Sequence, residues 1–99
     1  MSAGQHDLEK ASRLFRALAA PVRLSILSAL DEHQDLCVHE LVQHTGASQS
    51  LVSQHLRVLR DSDLVRSSRR GKEVAYSIAD RHIARMVRDA LDHAQEERP

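Results

Sequence analysis

Four residues near the end of the chain have the types and spacing of metal ligands: Asp80 and His82, then His93 and Glu96. His93 and Glu96 share a face if the segment is helical, because residues three apart are neighbours on a helix surface. His82 and His93 are separated by about 1,100° of helical rotation, so they share a face as well. Along the axis, however, they stand about 16 Å apart, far more than two bonds to one ion can span. One chain therefore cannot close the site. Two such helices packed antiparallel can, with His82 of one beside His93 of the other and the two-fold axis at the level of Val87 and Arg88. Asp80 joins His82 only if it occupies the non-helical N-cap. The expectation is two equivalent intersubunit sites, each with Asp80 and His82 from one chain and His93 and Glu96 from its mate. Two imidazoles and two carboxylates, without sulfur, favour Zn²⁺; Co²⁺ would bind similarly, and Ni²⁺ could recruit further ligands such as His6. The competing reading makes Asp80 a plain N-cap and the two histidines surface residues at a dimer seam.

A second candidate set combines Cys37 and Glu40 with His6 or Asp7 from the N-terminal arm. Cys37 is the only cysteine, so no multi-thiolate pocket for very soft ions is available. The competing reading is a buried cysteine acting as a small hydrophobe. Cys37 with His39, or a serine with His55, could in principle pair a nucleophile with a base. The chain carries no nucleophile elbow, phosphate loop or zinc-protease motif and is short for a substrate cleft, so an enzyme is not expected.

The third constellation recognises nucleic acid. From Ser48 to Arg60, Val52, Leu56 and Leu59, with Leu51 alongside, recur at helical spacing and form a buried stripe. Ser48 is a suitable N-cap. The opposite face carries Gln49, Ser50, Ser53, Gln54, His55 and Arg57. Such groups donate and accept hydrogen bonds, as the base edges of a major groove require. A short helix precedes this one, and Thr45-Gly46-Ala47 supplies a tight turn between them; the pattern over residues 38–60 is helix-turn-helix. A plain helical hairpin is the bland alternative. Residues 64–78 then read as a β-hairpin. Val74, Tyr76 and Ile78 alternate with polar or small residues, and Gly71 supplies the turn. Arg69, Arg70 and Lys72 sit at its tip, placed to meet phosphate.

These groups need a scaffold, and 99 residues provide one small domain. Formal net charge is zero, but residues 57–72 carry six basic side chains against two acidic ones, a local +4. Charge concentrated on one segment is what a phosphate backbone responds to. Residues 1–7 read as a flexible arm and Leu8–Leu18 as an amphipathic helix. Pro21 opens a second, central helix containing Val22, Leu24, Ile26, Leu27 and Leu30. Residues 80–97 form a last helix with Ile83, Met86, Val87, Ala90 and Leu91 as its apolar stripe. Phe15 and Tyr76 are the only aromatics, so the core is aliphatic, and a core this modest gains by dimerising. With no disulfide, membrane span or signal pattern in view, the expected compartment is the reducing cytoplasm.

The order of elements and several phrases resemble the ArsR/SmtB family of bacterial winged-helix repressors, many of which sense metal ions. These phrases are ALAAPVR at 17–23, LCVHEL at 36–41, SQSLVSQHLRVLRDSDLV at 48–65, GKEVAYSI at 71–78 and DRH at 80–82. The resemblance covers residues 10–97. It implies a mostly α winged helix-turn-helix fold of five helices and a two-stranded wing. It also implies a homodimer, joined through the first and last helices, that binds double-stranded operator DNA at an inverted repeat and leaves it when metal binds. Asp80, His82, His93 and Glu96 match the family's C-terminal-helix zinc site. Cys37-Val38-His39-Glu40 aligns with its Cys-Val-Cys-Asp metal box but lacks the second thiol. Alternatives are a regulator of this family sensing Ni²⁺, Co²⁺ or a non-metal signal, and a protein-interaction winged helix that no longer binds DNA. The polar reading face and basic wing speak against the last.

Overall fold

Ala19-Ala20-Pro21 divides the N-terminal half into two helices, α1 (Gln5–Leu18) and α2 (Pro21–His33), with Pro21 at the first position of the second. The computed structural model describes residues 2–96. Helix α1 begins at Gln5 and includes His6 and Asp7, so the expected arm is shorter than seven residues. Asp7 Oδ2 accepts from the Gly4 amide and closes the helix start. Strand β1 (Leu36–Cys37) follows, then α3 (Val38–Thr45), α4 (Gln49–Asp61), strands β2 (Val65–Arg70) and β3 (Glu73–Ile78), and α5 (Arg81–Gln95). Glu97, expected as the last residue of α5, lies outside the described residues.

The two-stranded wing belongs to a three-stranded antiparallel sheet ordered β1-β3-β2. Leu36 pairs with Tyr76 and Cys37 with Ala75, on the opposite edge of β3 from β2. Two residues carry no readable alternation, which hid β1 from sequence analysis. Arg70 opposite Glu73 leaves Gly71 and Lys72 as a two-residue turn, and Gly71 takes φ +65°, which glycine adopts without steric cost.

The core is aliphatic. Ile26, Leu27 and Leu30 of α2 meet Leu41 of α3 and Val52, Leu56 and Leu59 of α4, with Leu64, Ile83 and Val87 closing the far side. Helix α2 is central, as its many-sided apolar pattern requires. Leu51 is exposed instead of joining the stripe of α4. On α1 only Ala17 and Leu18 are buried, while Leu8 is 56% and Phe15 60% exposed. Their shared apolar face is therefore not used within the chain. Among the described residues no helix is long and apolar enough to cross a membrane.

Candidate DNA-reading face and metal centre

Helix α4 is positioned at both ends by backbone chemistry. Gly46 ends α3 in the left-handed conformation, its amide bonded to the Val42 carbonyl at 2.9 Å. Ser48 Oγ then accepts the Leu51 amide at 3.1 Å and starts α4. At the far end Asp63 takes φ +59° and the Leu64 amide bonds back to the Leu59 carbonyl at 2.8 Å. Val52, Leu56 and Leu59 anchor the inner face, which leaves Gln49, Ser50, Ser53, Gln54 and Arg57 exposed together on the outer one.

His55 departs from that set. It is half-buried, and its Nδ1 accepts from Arg23 Nη1 at 3.1 Å, while Arg23 Nε donates to the Ala17 carbonyl at 2.6 Å. Arg23 thus ties the end of α1 to the middle of α4. This makes His55 an anchor of the reading helix, because guanidinium retains its proton and commits Nδ1 as an acceptor. Arg23 was invisible as a functional residue in the sequence: it lies 32 positions from His55, and no local pattern links them.

Arg69 and Lys72 are exposed at the wing tip. Arg70 instead folds back across the sheet. Its Nη1 donates to Asp35 Oδ1 at 3.2 Å, and its Nη2 to Cys37 Sγ at 2.8 Å and to Glu40 Oε1. Two carboxylates offset its charge, so Arg70 leaves the expected phosphate-binding set and braces the wing against α3. The same contacts fill the second metal candidate. Glu40 Oε1 also accepts the Cys37 amide at 2.8 Å. That bond, followed by the one from Arg70, holds the Glu40 carboxyl at a pKa of about 2. Burial, helped by the bond to Glu73, pushes the Cys37 thiol up, so it stays protonated and inert. His39 pairs with Glu73 at 3.0 Å. Cys37 and Glu40 come together, but around a guanidinium, and the structure does not gather His6 to them: among the described residues no three His, Cys, Asp or Glu side chains form a ready cation site.

The four ligand-type residues of α5 form two local pairs at opposite ends of the helix. Asp80 is the N-cap, its Oδ1 accepting the Ile83 amide at 3.1 Å and lying 3.7 Å from His82 Nδ1. Its capping role and its approach to His82 coexist. At the other end His93 Nδ1 lies 4.0 Å from Glu96 Oε1, with Glu96 as the extended C-cap. The two imidazoles are 90% and 78% exposed. Together the two pairs offer two nitrogens and two oxygens, donor types that suit a borderline divalent ion such as Zn²⁺. Asp80 and His82 open onto a groove of about 690 Å³ that also has Leu14 of α1 and Met86 in its lining. Midway along α5, Val87 is buried and Arg88 is clamped to Asp31 of α2 by three bonds of 2.8–3.1 Å. Val87 therefore faces the core, while the Arg88 side chain stays exposed but is tied to α2. At the level proposed for a two-fold axis, Arg88, Asp89 and Ala90 are exposed and Met86 is half-buried.

The profile described as "Bacterial regulatory protein, arsR family" matches residues 20–67, the span from α2 to the start of the wing. The antimony-specific transcriptional repressor AntR is 30% identical to this chain and superposes with a TM-score of 0.83, over 93% of this chain and 83% of AntR. The chain belongs to the ArsR/SmtB family. Within the ArsR/SmtB family it is 50% identical, over 91% of its length, to the transcriptional repressor SmtB of Mycobacterium tuberculosis (strain H37Rv), and it spans 66% of that relative. The transcriptional repressor BigR of Xylella fastidiosa is 32% identical, with a TM-score of 0.79 over 97% of this chain and 100% of BigR. ArsR/SmtB proteins are transcription regulators, not enzymes, and the winged helix-turn-helix architecture is theirs.

Proposed function

We propose that this protein is a homodimeric, zinc-responsive transcriptional repressor. In the metal-free form the two copies of α4 read successive major grooves of an inverted repeat, about one helical turn apart. Gln49, Ser50, Ser53 and Gln54 face base edges, while Arg57, Arg69 and Lys72 meet phosphate. The observation that carries the metal reading is the split of the donor set. Asp80 with His82, and His93 with Glu96, are preassembled, solvent-facing pairs that no single chain can join. A second α5 packed antiparallel supplies the missing half.

Asp80 and His82 of one chain, with His93 and Glu96 of the partner subunit, would hold Zn²⁺, which would cross-link the two α5 helices. The chain's own contacts carry the consequence inward. Arg88 and Asp31 fasten α5 to α2, and α2 packs on α3 and α4. A fixed angle between the two α5 helices thereby fixes the separation of the two reading helices, and an operator of set spacing tolerates little change. Release requires that the ion prefer the DNA-free arrangement. A coupling of about 1–3 kcal/mol per site weakens DNA binding roughly 5- to 150-fold per ion. Both imidazoles must be neutral to ligate, so the response fades in acid.

Anisotropy titration of the chain's own upstream DNA tests the DNA half of this reading. A dimer that discriminates that DNA from random sequence is expected. Equal affinity for both would refute it.

A further inference from the structure

A second pair of histidines stands away from both α5 pairs and from the Cys37 cluster. His33 is the last residue of α2 and His44 lies in the last turn of α3. Their ring centroids are 4.5 Å apart with the planes tilted by 40°. Neither belongs to the core: both are exposed, and His44 lines a groove of about 480 Å³ with Glu32, Ser25, Ser28 and Leu91.

The separation has a chemical meaning. An imidazole bound through one nitrogen keeps its centroid about 3.2 Å from the metal, given a metal–nitrogen bond of about 2.05 Å. Two rings 4.5 Å apart are close enough to share one ion at an angle of about 90° once a nitrogen of each is turned toward it. That is the cis angle of octahedral or tetragonal coordination, which Ni²⁺ and Cu²⁺ favour over the wider angle of tetrahedral Zn²⁺. Glu32 completes the arrangement: its Oε1 lies 3.4 Å from His33 Nε2. A carboxylate beside the outer nitrogen is the usual support behind a metal-ligating histidine, which would then ligate through Nδ1.

We propose that His33 and His44 form a metal site within one chain, for a divalent ion with a preference for imidazole such as Ni²⁺ or Cu²⁺, with Glu32 as the positioning carboxylate. Water fills the remaining coordination positions, so the site is weaker than one with four protein ligands. It needs no partner subunit, which separates it from the α5 sites in stoichiometry and in dependence on dimerisation. Its place also gives it a lever. It joins the end of α2 to the end of α3, and Gly46 and Ser48 then lead directly into the reading helix.

The test uses the full chain carrying His82→Ala and His93→Ala, which disables the α5 sites, titrated with Ni²⁺ alone. One ion per chain is expected, with paramagnetic broadening of the His33 and His44 ring protons before those of His6, His39 and His55. His44→Gln or His33→Gln should weaken binding at least tenfold, and Glu32→Gln a few-fold. All three side chains are exposed, and unchanged circular dichroism verifies folding. Unaltered Ni²⁺ affinity in His44→Gln and His33→Gln, or broadening centred on the other histidines, would overturn the proposal while leaving the α5 reading intact.

Discussion

Arg70 shows how a residue of the right type in the right place can be given another task. In the sequence it is one of three cations at a hairpin tip. In the structure Asp35, Cys37 and Glu40 claim its guanidinium, and Arg69 and Lys72 remain exposed at the tip. The two roles leave different traces in salt titrations. Lys72→Ala should weaken binding to all sequences and reduce the slope of log K against log salt by about 1. Arg70→Ala should lower the melting temperature, because it strands two carboxylates, yet leave that slope unchanged. A slope reduced as in Lys72→Ala would return Arg70 to the phosphate-binding set.

Glu40 offers a second test at this scale. Its folded pKa of about 2 lies below the ordinary 4.5, so the carboxylate contributes stability above pH 4.5 that is lost as pH falls toward 2. Urea unfolding of Glu40→Gln should give a smaller drop in midpoint between pH 6 and pH 3 than the parent. An equal drop would show that the bonds from Cys37 and Arg70 do not hold the carboxylate ionised.

At the scale of elements, what was legible in the sequence is what short-range chemistry dictates. Pro21, Gly46, Ser48, Gly71 and Asp80 mark boundaries by their own backbone or hydrogen-bonding preferences, and each stands where that preference acts. The apolar spacing marked Val52, Leu56 and Leu59 of α4 and Ile83 and Val87 of α5, which are buried, whereas Leu51 and Ala90 of the same stripes are exposed. The missing information was long-range. The pairing of Leu36 and Cys37 with β3 and the bridge from Arg23 to His55 depend on which segments the fold brings together, and neither leaves a periodic signal. The donor pairs of α5 could be read because helix geometry relates them locally, whereas His33 and His44 meet only through the packing of α2 on α3. This distinction separates the roles on α4. Gln49→Ala should reduce discrimination between operator and random DNA with little loss of stability. His55→Ala should lower stability while retaining most discrimination. Competition binding together with thermal melts would decide, and the reverse pattern would mean that His55 reads bases.

For the whole molecule, the unused apolar surface and the split pairs of ligand-type side chains on α5 point the same way. Leu8 and Phe15 on α1 and Ala90 on α5 are exposed, and Met86 and Leu91 are only partly covered; a second copy would bury them. At about 25 cal/mol per Å², removal of such side chains from water is a substantial driving force for a small domain. Phe15→Glu should shift the protein toward monomer in sedimentation experiments and weaken operator binding with it. A variant that remained dimeric would place the interface elsewhere.

The central claim joins these scales: the exposed ends of α5 are two halves of an intersubunit zinc site that governs DNA binding. The direct measurement is operator affinity by anisotropy, with and without zinc, in the parent, His82→Ala and His93→Ala. The account predicts that all three metal-free proteins bind operator alike and that zinc releases only the parent, by roughly 5- to 150-fold per ion. Release of His82→Ala and His93→Ala by zinc to the same extent as the parent would contradict it.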